Sequence, residues 1–171
     1  MNPKKNKIIE DIEFIINHKD TSFITYHQYK KSYDFVDKKF PEAKIKNIKI
    51  YICDKNIFNK LNYNNVYGLY CSSLKAIVIK KDSDIDIEIV IIHELLHYVS
   101  DIVNNLCSRK RKNEEDFVLA NLIDYLIEKK WEEKDIIMYL SKNRQCKINE
   151  AKDFFEEKRN KTNKTKKFRI L

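Results

Sequence analysis

The chain has 171 residues, with 34 Lys and Arg against 26 Asp and Glu, a formal charge of +8, and 43% hydrophobic residues. That apolar content suffices for one core, so a wholly disordered chain is excluded and a single domain with a tail is expected. Cys53, Cys71, Cys107 and Cys146 are far apart and form no C-x-x-C pair, which argues against a disulfide scaffold or zinc knuckle and for free thiols in a reducing, cytoplasmic setting.

Residues 8–17 space Ile and Phe as a helix does, and the lysine-rich start before them runs into a segment containing acids, unlike a signal sequence. A second helix is expected over 26–40, stopped by Pro41. His18 and His27 lie in this polar N-terminal region and read as surface or loop residues. Residues 45–53 alternate through Ile45, Ile48, Ile50 and Ile52 with one slip, a strand pattern. Gly68, the only glycine, suggests a turn or bulge with unusual backbone conformation. Ile77-Val78-Ile79 is β-branched and bounded by polar turn residues, a strand signature.

The apolar run from Ile85 to Val103 contains His93-Glu94-Leu95-Leu96-His97. A helix places residues i and i+4 on one face, so His93 and His97 can each offer a ring nitrogen to one tetrahedral zinc ion. Glu94 lies a little around the helix, where it can act as the general base toward a metal-activated water. On a helical wheel the isoleucines, leucines and valines fill about half the circumference, and His93, Glu94, His97, Ser100 and Asp101 form one polar stripe. A solvated stripe in this lysine-rich chain would more naturally carry Lys and Glu. No run here is apolar enough to span a membrane, because Asp86, Glu88, His93 and Glu94 interrupt the best candidate.

No histidine follows His97, so a third protein ligand should be a carboxylate. A further helix is expected from Asn113, as N-cap, through Asp124. Glu115 falls at the centre of its apolar face, flanked by Leu119, Leu122, Ile123 and Leu126, and a carboxylate directed into a core needs a partner such as a metal ion. Glu114, toward the edge of that arc, is the alternative ligand, although an acid in a first helical turn also suits the helix dipole. Asp101, one turn past His97, is either an acceptor that orients a ligand imidazole or a surface contact.

These residues resemble the active-site region of zincin metallopeptidases of the glutamate-ligand kind, with His93 to Asp101 similar to their active-site helix and Asn113-Glu114-Glu115 to the start of their second. The size is similar to small metallopeptidase domains of phages and mobile elements and to ImmA/IrrE-type domains. The resemblance covers about residues 66–127. It implies one Zn2+ per chain and a strand ahead of the active-site helix that borders the cleft. If that strand, at Ile77, Val78 and Ile79, is a sheet edge, a peptide substrate could add to it. The loop 102–112 has neither a glycine nor a third histidine, which sets the chain apart from metzincins. No transition-state-stabilising group is assigned, with Tyr98 and Tyr125 merely the nearest tyrosines in sequence.

Short helices are expected at 131–140 and 148–158. The expected fold is thus α+β, a small mixed or antiparallel sheet packed on helices, as one domain over 1–157: N-terminal helices at 1–40, a catalytic core at about 45–128 and C-terminal helices at 131–157. Residues 158–171 read as a basic flexible tail. The run Arg109-Lys110-Arg111-Lys112 and that tail, with seven basic residues between Lys158 and Arg169, are either solvated segments or a weak contact for nucleic acid or acidic surfaces. The leading functional expectation is a cytoplasmic zinc peptidase acting on a protein or peptide. The alternatives are a catalytically weak zinc-binding interaction module and a structural protein whose histidines are incidental.

Overall fold

A computed structural model describes residues 3–103 and 111–168, with side chains placed for 6–103 and 114–161. The chain divides into two compact units, Met1–Glu114 and Glu115–Leu171.

The first unit is α+β. In chain order it contains α1 (Pro3–Ile16), β1 (Thr21–Ile24), α2 (Lys30–Lys39), β2 (Lys49–Cys53), α3 (Lys55–Lys60), β3 (Gly68–Cys71), β4 (Ala76–Lys80) and α4 (Ile87–Val103). The strands form one mixed sheet in the order β1-β2-β4-β3. β1 runs antiparallel to β2, β2 parallel to β4, and β3 antiparallel to β4. β4 is therefore interior and β3 is an edge.

Local chemistry explains where the elements begin. Asp54 caps α3 by accepting the Asn56 N–H at 2.7 Å. Asp86 does the same for α4, accepting the Glu88 N–H at 2.9 Å, so this helix starts at Ile87 and not at Ile85. The expected second helix is split into a 3-10 turn at Tyr26–Tyr29 and α2. The slip in the 45–53 alternation is a further 3-10 turn at Ile45–Asn47, after which β2 runs from Lys49 to Cys53.

Val78 of β4 packs with Ile12 and Ile15 of α1, Ile57 and Phe58 of α3, Cys53 and Cys71. Alternation along the strand turns Ile77 and Ile79 to the opposite face, and both are fully buried. The cross-strand pairs Gly68 with Ile79 and Tyr70 with Ile77 put Gly68 and Tyr70 on that same face. There α4 lies along β3 and β4, with α2 against α4. Thus α4 presents its polar stripe to the edge strand. No helix among the described residues is long and apolar enough to cross a membrane.

The helix α5 spans Arg111–Glu128. Its backbone is already helical at Arg111, so Asn113 lies within the first turn and is not the N-cap. The second unit continues with α6 (Glu133–Arg144) and α7 (Ile148–Phe168). Arg144 joins α6 to Asp116 of α5 at 2.6 Å and lies over the Phe154 ring of α7. Ile136, Ile137, Leu140, Ala151, Phe154 and Phe155 are buried. α7 stays helical beyond Lys158, the expected end, to Phe168, and an i,i+4 pair between Glu157 and Lys161 supports the extension. Of the basic run, Arg109 and Lys110 lie outside the described residues, as does Cys107.

Candidate metal centre

His93 and His97, one turn apart on α4, bring their Nε2 atoms to 3.2 Å. Two imidazole nitrogens bound to one tetrahedral zinc at about 2.0–2.1 Å would stand about 3.3 Å apart. The pair therefore has ligand spacing, with a cation replacing the single proton that two such nitrogens can share. His97 Nδ1 lies 2.8 Å from Glu114 Oε1. An ionised carboxylate only accepts, so Nδ1 carries the proton in this contact, and the neutral form of His97 then has its lone pair on Nε2, toward His93. Burial and the neighbouring His97 push the His93 imidazole down to about 3, which keeps it neutral near pH 7, as a metal ligand must be.

Glu115 is the next residue after Glu114 on α5. One ligand atom from each of His93, His97 and Glu115 lies within 4.8 Å of the others. Of the two adjacent acids, Glu114 thus meets Nδ1 of His97, and Glu115 offers a ligand atom near one from each histidine. Three donors of this type, two neutral imidazoles and one carboxylate, fit zinc and leave a fourth tetrahedral position open.

Glu94 is buried, at 7% exposure, although it is an acid on a polar stripe. It lines a cleft of about 410 Å³ together with Gly68, Leu69, Tyr70, Ser72, His93, His97 and Glu114. One wall of the cleft is therefore the polar stripe of α4 and the other is β3. Neither Tyr98 nor Tyr125 is among the lining residues. Tyr98 is buried with its ring edge-on to Tyr70 at 6.0 Å.

Two expectations are corrected here. Ile77, Val78 and Ile79 do not form the substrate-facing strand, because β4 is bonded on both sides, to β2 and to β3, and has no open backbone edge. The edge beside the cleft is β3. Asp101 accepts the Tyr70 hydroxyl at 2.7 Å and so ties α4 to β3, while the carboxylate beside the His97 ring is Glu114. The involvement of Leu69, Tyr70 and Ser72 was missed from sequence, because a four-residue edge strand carries too little alternation to stand out. Gly68 was noticed for its rarity, but its backbone does not occupy the left-handed region.

Compared with protein-family models, curated proteins and solved structures, the chain matches none.

Proposed function

We propose that the protein is a zinc-dependent peptidase with a zincin-like active site, in which His93, His97 and Glu115 hold the metal and Glu94 is the general base. The observation that carries this reading is the convergence of the His93 and His97 Nε2 atoms at 3.2 Å beside a buried glutamate in an open cleft. The carboxylate of Glu114 on His97, and a ligand atom of Glu115 near both histidines, add support to the reading.

Zinc, when bound, supplies Lewis acidity toward the scissile carbonyl and makes water a better nucleophile near neutral pH. The chain's own residues do the rest. Glu114 fixes the His97 tautomer, so that its inner nitrogen faces the metal site. Glu94 takes a proton from the attacking water and passes it to the departing amine. The outward backbone edge of β3 pairs with an extended peptide and aligns one bond across the cleft.

The substrate is a protein or peptide. The free thiols of Cys53, Cys71 and Cys146 support a reducing, cytoplasmic location. The basic residues Lys158, Arg159 and Lys161 on α7, with Arg109, Lys110, Arg111 and Lys112, favour acidic protein surfaces or nucleic acid as weak partners.

The test is hydrolysis of a mixed-sequence peptide library by zinc-loaded wild type and Glu94→Gln, with cleavage followed by mass spectrometry. Cleavage by the wild type that disappears in Glu94→Gln, both proteins holding equal zinc, supports the peptidase. Equal zinc with no cleavage by either points to the zinc-binding interaction module instead.

A further inference from the structure

We infer that Gly68 is the positioning residue for the Glu94 carboxylate, its missing side chain being the space in which that carboxylate is held against the edge strand. The inference rests on the peptidase reading for its catalytic meaning and on packing alone for its geometry.

A glycine inside a strand costs chain entropy and contributes nothing to packing, so its presence asks for a cause. Backbone conformation is not the cause, because Gly68 does not lie at positive φ. Close approach is. A Cβ at position 68 would stand 2.7 Å from Glu94 Cγ, 2.9 Å from Oε1 and 3.1 Å from Cδ. All three nearest atoms belong to that one side chain. The register of β3 on β4 explains the encounter, since Gly68 shares its face with Tyr70, and Tyr70 reaches Asp101 on the same helix. Glu94 and Asp101 are two turns apart on α4, and Gly68 and Tyr70 are the matching positions along β3.

A methyl group at 68 therefore displaces the Glu94 carboxylate or pushes β3 away from α4. The zinc ligands are on other contacts: His97 is held by Glu114, and neither histidine is among the atoms nearest the added Cβ. Gly68→Ala should separate metal binding, which survives, from base positioning, which does not.

The experiment compares wild type, Gly68→Ala, Glu94→Ala and the double variant for melting temperature, zinc per chain and peptide hydrolysis. Gly68→Ala is expected to lower Tm by about 4 °C in the wild-type background and to leave it level or raised in Glu94→Ala, where the obstructing side chain is gone. Zinc content stays equal, and kcat of Gly68→Ala falls about a hundred-fold with KM within about two-fold. The same Tm shift in both backgrounds would overturn the inference, as would full kcat in Gly68→Ala. Should Gly68→Ala fail to fold, a folded double variant shows the coupling and an unfolded one refutes it. Absence of zinc or of turnover in wild type would count against the peptidase reading and leave the melting comparison decisive for Gly68.

Discussion

Exchanging Glu114 and Glu115 separately for glutamine should have unequal effects on zinc affinity, although the two acids are neighbours in sequence. Glu114 Oε1 sits 2.8 Å from His97 Nδ1, a charge-assisted contact to the outside of a ligand ring. Glutamine keeps the shape and removes the charge, so His97 loses basicity and orientation but stays in place. Losing such an outer partner typically costs about 10- to 100-fold in metal affinity, or about 1.4–2.7 kcal/mol. Glu115 is the acid that offers a ligand atom within 4.8 Å of one from each of His93 and His97, and it is the proposed third donor. Structural zinc sites bind with about 10–16 kcal/mol shared among their ligands, so removing one donor costs about 3 kcal/mol or more, a loss of at least about 150-fold and the larger of the two. The assay is competition for zinc against a chromophoric chelator at pH 7.5, with circular dichroism to establish folding. A larger loss in Glu114→Gln than in Glu115→Gln would exchange their roles and refute the assignment. Equal affinity in all three proteins would refute both.

Metal-free protein should lose stability in mild acid because of His93. Its folded pKa, about 3, is depressed below the ordinary value of 6.5, so the neutral form is favoured in the fold; the stabilisation is complete above pH 6.5 and is lost as pH falls toward 3. The slope from this one group is at most about 1.4 kcal/mol per pH unit. Urea midpoints at pH 4 to 7, compared with His93→Gln to subtract His97, Glu94 and the other acids, should show the difference, and identical pH profiles would contradict it. Burial, with Asp54 beside it, pushes the Cys53 thiol up to about 12. At pH 8 a thiol reagent should therefore modify the half-buried Cys146 and spare Cys53 until the chain unfolds; mass spectrometry showing Cys53 modified first would be contrary. Ile77→Ala should cost about 2–5 kcal/mol in chemical denaturation, as for a buried core residue, and leave zinc stoichiometry unchanged. A stable variant with altered substrate preference would return β4 to the cleft.

The helix carrying His93 and His97 was legible in sequence because its two signals are local: histidine spacing on one turn, and an apolar arc of matching period. β2 and β4 were legible for a similar reason, since the isoleucines of 48–52 and 77–79 form compact β-branched clusters. Pairing was not legible. Nothing in Ile77-Val78-Ile79 tells an interior strand from an edge, because that depends on β2 arriving in parallel from residues 49–53. The near-continuous burial of β4, covered on both faces, is the physical sign of its central place. β1 escaped notice because Thr21-Ser22-Phe23-Ile24 is short and half polar. The contact of Glu114 with His97 Nδ1 was beyond the wheel argument, which orders residues by angle but says nothing about which ring nitrogen a carboxylate meets. Asp101 was placed correctly on the stripe, yet its partner, Tyr70, comes from a strand 31 residues earlier. Gly68 drew attention by its rarity, and the reason proved to be a neighbour in space rather than a backbone angle.

Elemental analysis of purified wild type beside His93→Ala and His97→Ala, each reconstituted with zinc at pH 7.5 and desalted, tests the metal centre most directly. One zinc per chain in wild type and little or none in either variant, with all three proteins folded, is the expected result. No zinc in folded wild type, or one zinc per chain in all three, would contradict a site built on the paired Nε2 atoms of α4.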